Sequence, residues 1–384
     1  RGFLFAQLRD GEGRLLDLAT KGSGQTPWSR GGDGRLTLKG AVREILAAQM
    51  LEALGVYTSK PFAVYETGEA LTRNDEPSPT RSAVLTRLGH SHLRFGTFQR
   101  HAWEEAPERV SQLIDHAIEH YHPHLVGAAD APAALLDTVV EASARLAASW
   151  MAAGFVHGVL NTDNLNITGE SFDYGPWRFL PRYEPGFTAA YFDHSGLYCF
   201  ARQPEAVYWA LQQLAGALSV VGERLSLEAA LGRFPAIYRV ALLDAFLARF
   251  GVASAGRDAD EVMVRHFLAF MEVSRLPWET AFFDHFCGST DRAAASPRAA
   301  SYGGEEYQAW ASALAGHEPV RPDRLLHAYF QNSEPAALPI EQVEAVWATI
   351  ADRDDWSGLE ALLDRIGQAR EGYDLGEGRV GFLP

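Results

Sequence analysis

Two textures divide this chain, and together they predict an α+β molecule built as two lobes. From residue 1 to about 100, short strand-like runs alternate with glycine turns around one amphipathic helix, whereas residues 101–384 carry long helical patterns. A third observation lies between the first two long helices of the second part. It is a turn-rich polar stretch, Val156 to Trp177, with three of the chain's five asparagines, and an active site is expected there.

The elements follow in order. Phe3-Leu4-Phe5-Ala6-Gln7-Leu8 and Leu15-Leu16-Asp17-Leu18-Ala19-Thr20 flank Asp10-Gly11-Glu12-Gly13, where glycine serves a turn that needs φ > 0, so they read as a hairpin. Between Thr37 and Leu54, apolar Leu38, Val42, Ile45, Leu46, Met50 and Leu54 recur at helical spacing, and Gly55 follows as a stop. Phe62-Ala63-Val64-Tyr65 and Ala83-Val84-Leu85-Thr86 resume strand character across the polar loop Asn74 to Pro79. From about Pro107 helices take over, with Ala133–Met151, Glu205–Leu218, Ala236–Phe250 and Asp260–Val273 the clearest. The tail from Ala336 reads as helix followed by glycine-rich coil.

Composition excludes several function classes. A formal net charge of −15 repels phosphate backbones and no basic stripe offsets it, so nucleic acid is not expected as a partner. No apolar run approaches the roughly 20 residues that span a bilayer, and no leader pattern opens the chain, so no membrane partner is expected. Cys199 and Cys287 are too few and too far apart for a disulfide framework or a thiolate zinc site, and a reduced, cytoplasmic setting follows as the expectation. The sequence starts at Arg1 and runs straight into strand-like residues, so a natural N-terminus upstream is expected.

The chemistry concentrates in His157-Gly158-Val159-Leu160-Asn161-Thr162-Asp163-Asn164, followed by Asp173-Tyr174-Gly175. Alone, each piece reads as a polar turn. In this order they match the parts of a protein-kinase-like site: a His-containing loop, an Asn that holds metal, and an Asp-aromatic-Gly whose Asp bridges metal to phosphate. Asn164 and Asp173 suit Mg²⁺, which prefers hard oxygen ligands. The ordinary kinase loop has its base five residues before the metal Asn. Here that position is Val159, which accepts no proton, and Asp163 offers a displaced carboxylate. In the first lobe, Lys21 is one of only three lysines; it closes a strand and opens Gly22-Ser23-Gly24, whose amides suit phosphate. Glu44 falls on the amphipathic helix, where an ion pair with Lys21 would set the lysine at a nucleotide; periodicity alone puts Glu44 on a solvated face.

These residues resemble selenoprotein O, a kinase-like family that transfers AMP to protein hydroxyls. The resemblance runs from Gln7 to about Leu218. It is carried by Lys21-Gly22-Ser23-Gly24-Gln25-Thr26-Pro27-Trp28-Ser29-Arg30, Gly32-Asp33-Gly34-Arg35, Arg43-Glu44, Leu93-Arg94-Phe95-Gly96, Val156 to Asn164, and Asp173-Tyr174-Gly175-Pro176. It implies a Lys21–Glu44 ion pair, Asp163 as base, Asn164 and Asp173 as metal ligands, and ATP bound in reverse, its γ-phosphate held by Arg87 and Arg94. Two arginines seven residues apart around a Gly-His turn also suit a phosphate clamp on their own chemistry, since guanidinium forks bind phosphate bidentately. Family members often end in a Cys-x-x-Cys or Cys-x-x-selenocysteine pair; this sequence has neither, and redox regulation is not carried over.

The expected function is therefore a protein adenylyltransferase: AMP from ATP to Ser, Thr or Tyr hydroxyls of proteins, with Mg²⁺ or Mn²⁺. Three alternatives stand beside it. One is uridylyl transfer from UTP. Another is conventional phosphotransfer, which Val159 opposes. The last is an inactive pseudokinase scaffold, which has no use for the combination of Lys21, Glu44, Asn164 and Asp173.

Overall fold

The computed structural model describes residues 3–27, 31–74 and 76–376. Trp28, Ser29 and Arg30 of the first motif, Asp75 of the polar loop and the coil after residue 376 lie outside the described residues. The hairpin is present as β1 (Leu4–Arg9) and β2 (Leu15–Lys21), antiparallel, with Gly13 at φ +78°. The Asp10 carboxylate closes its turn by accepting the backbone N–H groups of Glu12 and Arg14. Next come β3 (Leu36–Thr37), α1 (Leu38–Ala53), β4 (Lys60–Leu71) and β5 (Thr80–Gly89). All pairings in this five-stranded sheet are antiparallel, and β5 is its hub, bonded to β2, β3 and β4. Thr37 caps α1 by accepting the Gly40 N–H at 3.0 Å, and Gly55 takes a positive φ just past its end, as the sequence pattern requires.

The remainder is helical: α2 (Phe95–Trp103), α3 (Pro107–Tyr121), α4 (Ala131–Ala152), α5 (Gln203–Leu218), α6 (Arg224–Gly232), α7 (Phe234–Phe250), α8 (Arg257–Ser274), α9 (Trp278–Asp284), α10 (Thr290–Ala295), α11 (Gly304–Leu314), α12 (Ile340–Arg353) and α13 (Ser357–Tyr373). A two-stranded ribbon, β6 (Phe155–Val156) with β7 (Arg178–Phe179), brackets the polar stretch between α4 and α5. Helix thus begins at Phe95 rather than near Pro107. α2 is short and buries only Phe95 and Phe98, too few apolar positions to display a period.

One apolar core joins α1 to α2–α5 and to α12 and α13; an aromatic-rich second core lies among α7, α8, α9 and α11. The last two helices therefore pack back against α1. Arg81 on β5 fixes them further, donating to the Ile350 carbonyl at 3.1 Å and pairing with Asp354 at 2.9 Å. Among the described residues no helix is long and apolar enough to cross a membrane.

Candidate active site

The polar stretch folds against the sheet through backbone bonds. Leu93–Gly96 runs beside residues 162–167: Gly96 N–H donates to Thr162 O, Phe95 N–H to Leu165 O and Ile167 N–H to Leu93 O. On the other side, Ser171 exchanges bonds with the residues just before β4, donating to Tyr57 O and accepting from Ser59 N–H. The three asparagines each close part of the loop. Asn161 accepts the Asp163 N–H, Asn164 Nδ2 donates to Val159 O at 2.9 Å, and Asn166 accepts from Thr168. The clustering of a rare residue thus has a local cause: a short amide side chain satisfies backbone groups that no helix or strand serves.

Five charged side chains, from β2, α1, β5 and two loops, converge here. Lys21 Nζ, at the end of β2, lies 2.5 Å from Glu44 Oε2. Glu44 Oε1 lies 2.8 Å from Arg87 Nη1, and the same nitrogen is 2.8 Å from Asp173 Oδ1. Lys21 reaches Asp173 Oδ1 at 3.3 Å, and Arg94 Nη2 holds Asp173 Oδ2 at 2.7 Å. The Phe172 ring lies under both guanidiniums, 5.4 Å from Arg87 and 5.0 Å from Arg94.

Glu44 is only 2% exposed, so it is no solvated face residue. Its helix lies between the sheet and the α13 side of the core, and a carboxylate buried there requires partners, which Lys21 and Arg87 provide. Arg87, 5% exposed, likewise has no surface role. Burial alone would push the Asp173 carboxyl up, but Arg87, Lys21 and Arg94 outweigh it and hold the group well below the ordinary carboxylate range. Burial would weaken the Arg87 guanidinium's hold on its proton, while Asp173 and Glu44 strengthen it. Three cations face two carboxylates, an excess of positive charge that suits a polyphosphate.

Asp173 sits at φ +59°, a left-handed conformation rare outside glycine. Its neighbours hold it there: Tyr174 OH meets Thr58 Oγ1 at 2.5 Å, and His157 Nε2 donates to the Phe172 carbonyl at 3.1 Å. Burial pushes His157 down to about 4, so it is neutral and acts as a donor to this loop. Asp163 lies against the start of α2, where a Cβ added at Gly96 would run into its Oδ1; glycine there makes room for the carboxylate.

Gly22 and Gly24 lie in the loop that leaves β2 after Lys21. Gly22, φ +97°, permits close approach, since an added Cβ would fall 2.5 Å from Leu36 Cβ. The Gly24 N–H donates to Gly34 O at 3.1 Å, so its amide is engaged within the loop. Sequence reasoning assigned no role to Phe172, to the His157 and Thr58 supports, or to buried Glu170, which accepts the His90 N–H at 2.9 Å and which burial lifts to about 7. No period or spacing in the sequence marks these supports, because their contacts join residues far apart in the chain.

The donor set fits a hard divalent cation. Asp173 supplies a carboxylate, and because the Asn164 NH₂ is committed to Val159 O, its amide oxygen is the end left for a metal. Among the described residues no group of three His, Cys, Asp or Glu side chains forms a closed metal cage. An ion here would draw its remaining ligands from phosphate oxygens and water, as Mg²⁺ at nucleotide sites does.

A sequence model of a family described as protein adenylyltransferase SelO matches residues 1–367. Relatives named protein nucleotidyltransferase YdiU include one from Gloeobacter violaceus, 42% identical over 387 residues, covering 98% of this chain and 79% of the relative. Another, from Synechococcus elongatus, is 42% identical and covers 95% and 77%. One from Pseudomonas putida is 40% identical over 272 residues, covering 71% of this chain and 55% of the relative.

Proposed function

Since the chain belongs to the protein adenylyltransferase SelO family and is a nucleotidyltransferase, we propose that it transfers AMP from ATP to Ser, Thr or Tyr hydroxyls of proteins, with the nucleotide reversed relative to kinases. The fold is read as kinase-like, residues 1–100 forming the first lobe and 101–384 the second, in a cytoplasmic enzyme. The observation that carries this reading is the convergence of Lys21, Arg87 and Arg94 on Asp173, a cationic cradle with a carboxylate at its centre.

Arg87 and Arg94 would take the γ-phosphate in guanidinium forks, with Lys21 on a neighbouring phosphate and Glu44 steadying Lys21 and Arg87 from behind. Asn164 and Asp173 would hold the divalent metal, Mg²⁺ or Mn²⁺, which when bound neutralises phosphate charge. Placed this way, the nucleotide presents its α-phosphate to the acceptor. The acceptor oxygen attacks Pα in line, the bond from Pα to the α–β bridging oxygen breaks, pyrophosphate departs, and Asp163 receives the hydroxyl proton. Val159, with no acceptor atom at the position of the usual kinase base, favours this chemistry over phosphotransfer.

The test is transfer to a protein acceptor in parallel reactions with ATP labelled at the α- or the γ-phosphate. Label from α alone is expected. Label from γ alone would overturn the reversed orientation. The relatives' name, protein nucleotidyltransferase, leaves the base open, so α-labelled UTP belongs in the same experiment, and faster transfer from it would make the activity uridylylation.

A further inference from the structure

Arg43 immediately precedes Glu44, yet the proposed chemistry assigns it nothing. Its side chain is only 11% exposed and turns away from the ion cluster. Nη2 donates to Trp177 O at 3.0 Å and, at a longer 3.4 Å, to Gly175 O, and the guanidinium lies 4.8 Å from the Trp177 ring centroid. A helix of the sheet layer is thereby bonded to the backbone just after Asp173. From α12, Glu344 faces Arg43 Nη1 at 3.9 Å and is itself held by Lys39 at 2.6 Å. Burial, and then the like charge of Arg178, bring the Arg43 guanidinium down to about 10, still protonated at neutral pH.

We propose that Arg43 is a positioning residue, a latch that keeps Glu44 and Asp173 in register while the nucleotide is bound. This role rests on the proposed function, with Asp173 as the metal carboxylate and Arg87 and Arg94 as phosphate ligands. As the structure stands, Arg87 itself bridges the two carboxylates, touching Glu44 and Asp173 with one nitrogen. A phosphate that recruits Arg87, Arg94 and Lys21 weakens that bridge at the moment registration matters most. The Arg43 bonds run to backbone carbonyls outside the cluster, so phosphate does not compete for them. They are a polar tie between α1 and the Asp173 segment that survives loading.

The test uses the whole chain with Arg43→Gln and Arg43→Lys, read by transfer kinetics and by amide hydrogen exchange with and without a non-hydrolysable nucleotide. For Arg43→Gln, kcat is expected to fall about tenfold or more while the nucleotide KM stays within about threefold, because misplacement harms the reacting geometry more than phosphate binding. Exchange over residues 172–179 is expected to rise about tenfold in the nucleotide-bound protein alone, with Arg43→Lys intermediate in both readouts. A fall in kcat matched by faster exchange throughout the molecule, or no change in either readout, would overturn the latch. Should Arg43→Gln fail to fold, Glu344→Gln, at a half-exposed site, is expected to give the same local pattern at about threefold; an unchanged segment would then overturn the proposal. The exchange readout is independent of which phosphate is transferred, so label from γ would sink the AMP reading and leave the latch standing.

Discussion

Asp173 receives three cations and accepts a left-handed backbone to do so. Asp173→Ala should abolish transfer, by a factor on the order of 10² or more, because the charge neutralisation it organises has no substitute. Circular dichroism should show the same folded secondary structure at a lowered thermal midpoint, because buried Arg87 keeps only Glu44 as a partner; an active variant would remove Asp173 from the site. The two arginines separate by burial. Arg87→Ala takes one partner from nearly inaccessible Glu44 and should cost about 3–5 kcal/mol in denaturant unfolding. Arg94, with about a third of its side chain exposed, should cost less than about 1 kcal/mol on the same change. Both variants should raise the nucleotide KM; an unchanged KM would contradict the clamp, and equal stabilities would contradict the difference in burial. At this scale the sequence was informative: Lys21 and the aspartate of Asp-Tyr-Gly, singled out 152 residues apart, meet at 3.3 Å, and the asparagines close the polar stretch they cluster in. It was silent on Phe172, whose ring lies beneath two guanidiniums through a contact made entirely in three dimensions.

At the scale of elements, the hairpin, α1 and the β5 strand were legible because each carries its own period or turn chemistry. α2 was not, yet its start shapes the site. Helix propensity favours Gly96→Ala by about 1 kcal/mol, but the added methyl would meet Asp163 Oδ1. The variant should therefore keep its stability within about 1 kcal/mol while kcat falls about tenfold or more. Thermal denaturation run beside the transfer assay checks both halves, and full activity would place Asp163 outside the chemistry.

At the scale of the whole molecule, His122, His157 and His285 are buried and each is pushed down to about 4 by that burial from an ordinary value of 6.5. Between those values the unfolded chain binds protons that the folded chain refuses, so stability is full above about pH 6.5 and is lost as pH falls toward 4. Glu170, lifted to about 7 from 4.5, has the opposite sign: it contributes below 4.5 and loses that contribution as pH rises through 7. Three groups outweigh one, so the chemical-denaturation midpoint should drop between pH 6.5 and 4; a flat profile would mean the histidines are solvated. Sequence alone determined the β-rich first part with its hairpin and amphipathic helix, the helical remainder and the identity of the charged groups, because short-range periodicity and residue chemistry are written locally. Tertiary structure alone decided that Glu44 is buried rather than solvated, that Arg87 and Arg94 meet on one carboxylate, and that α12 and α13 return to brace α1. Those facts depend on which distant surfaces exclude water together, and no local window of residues contains that information.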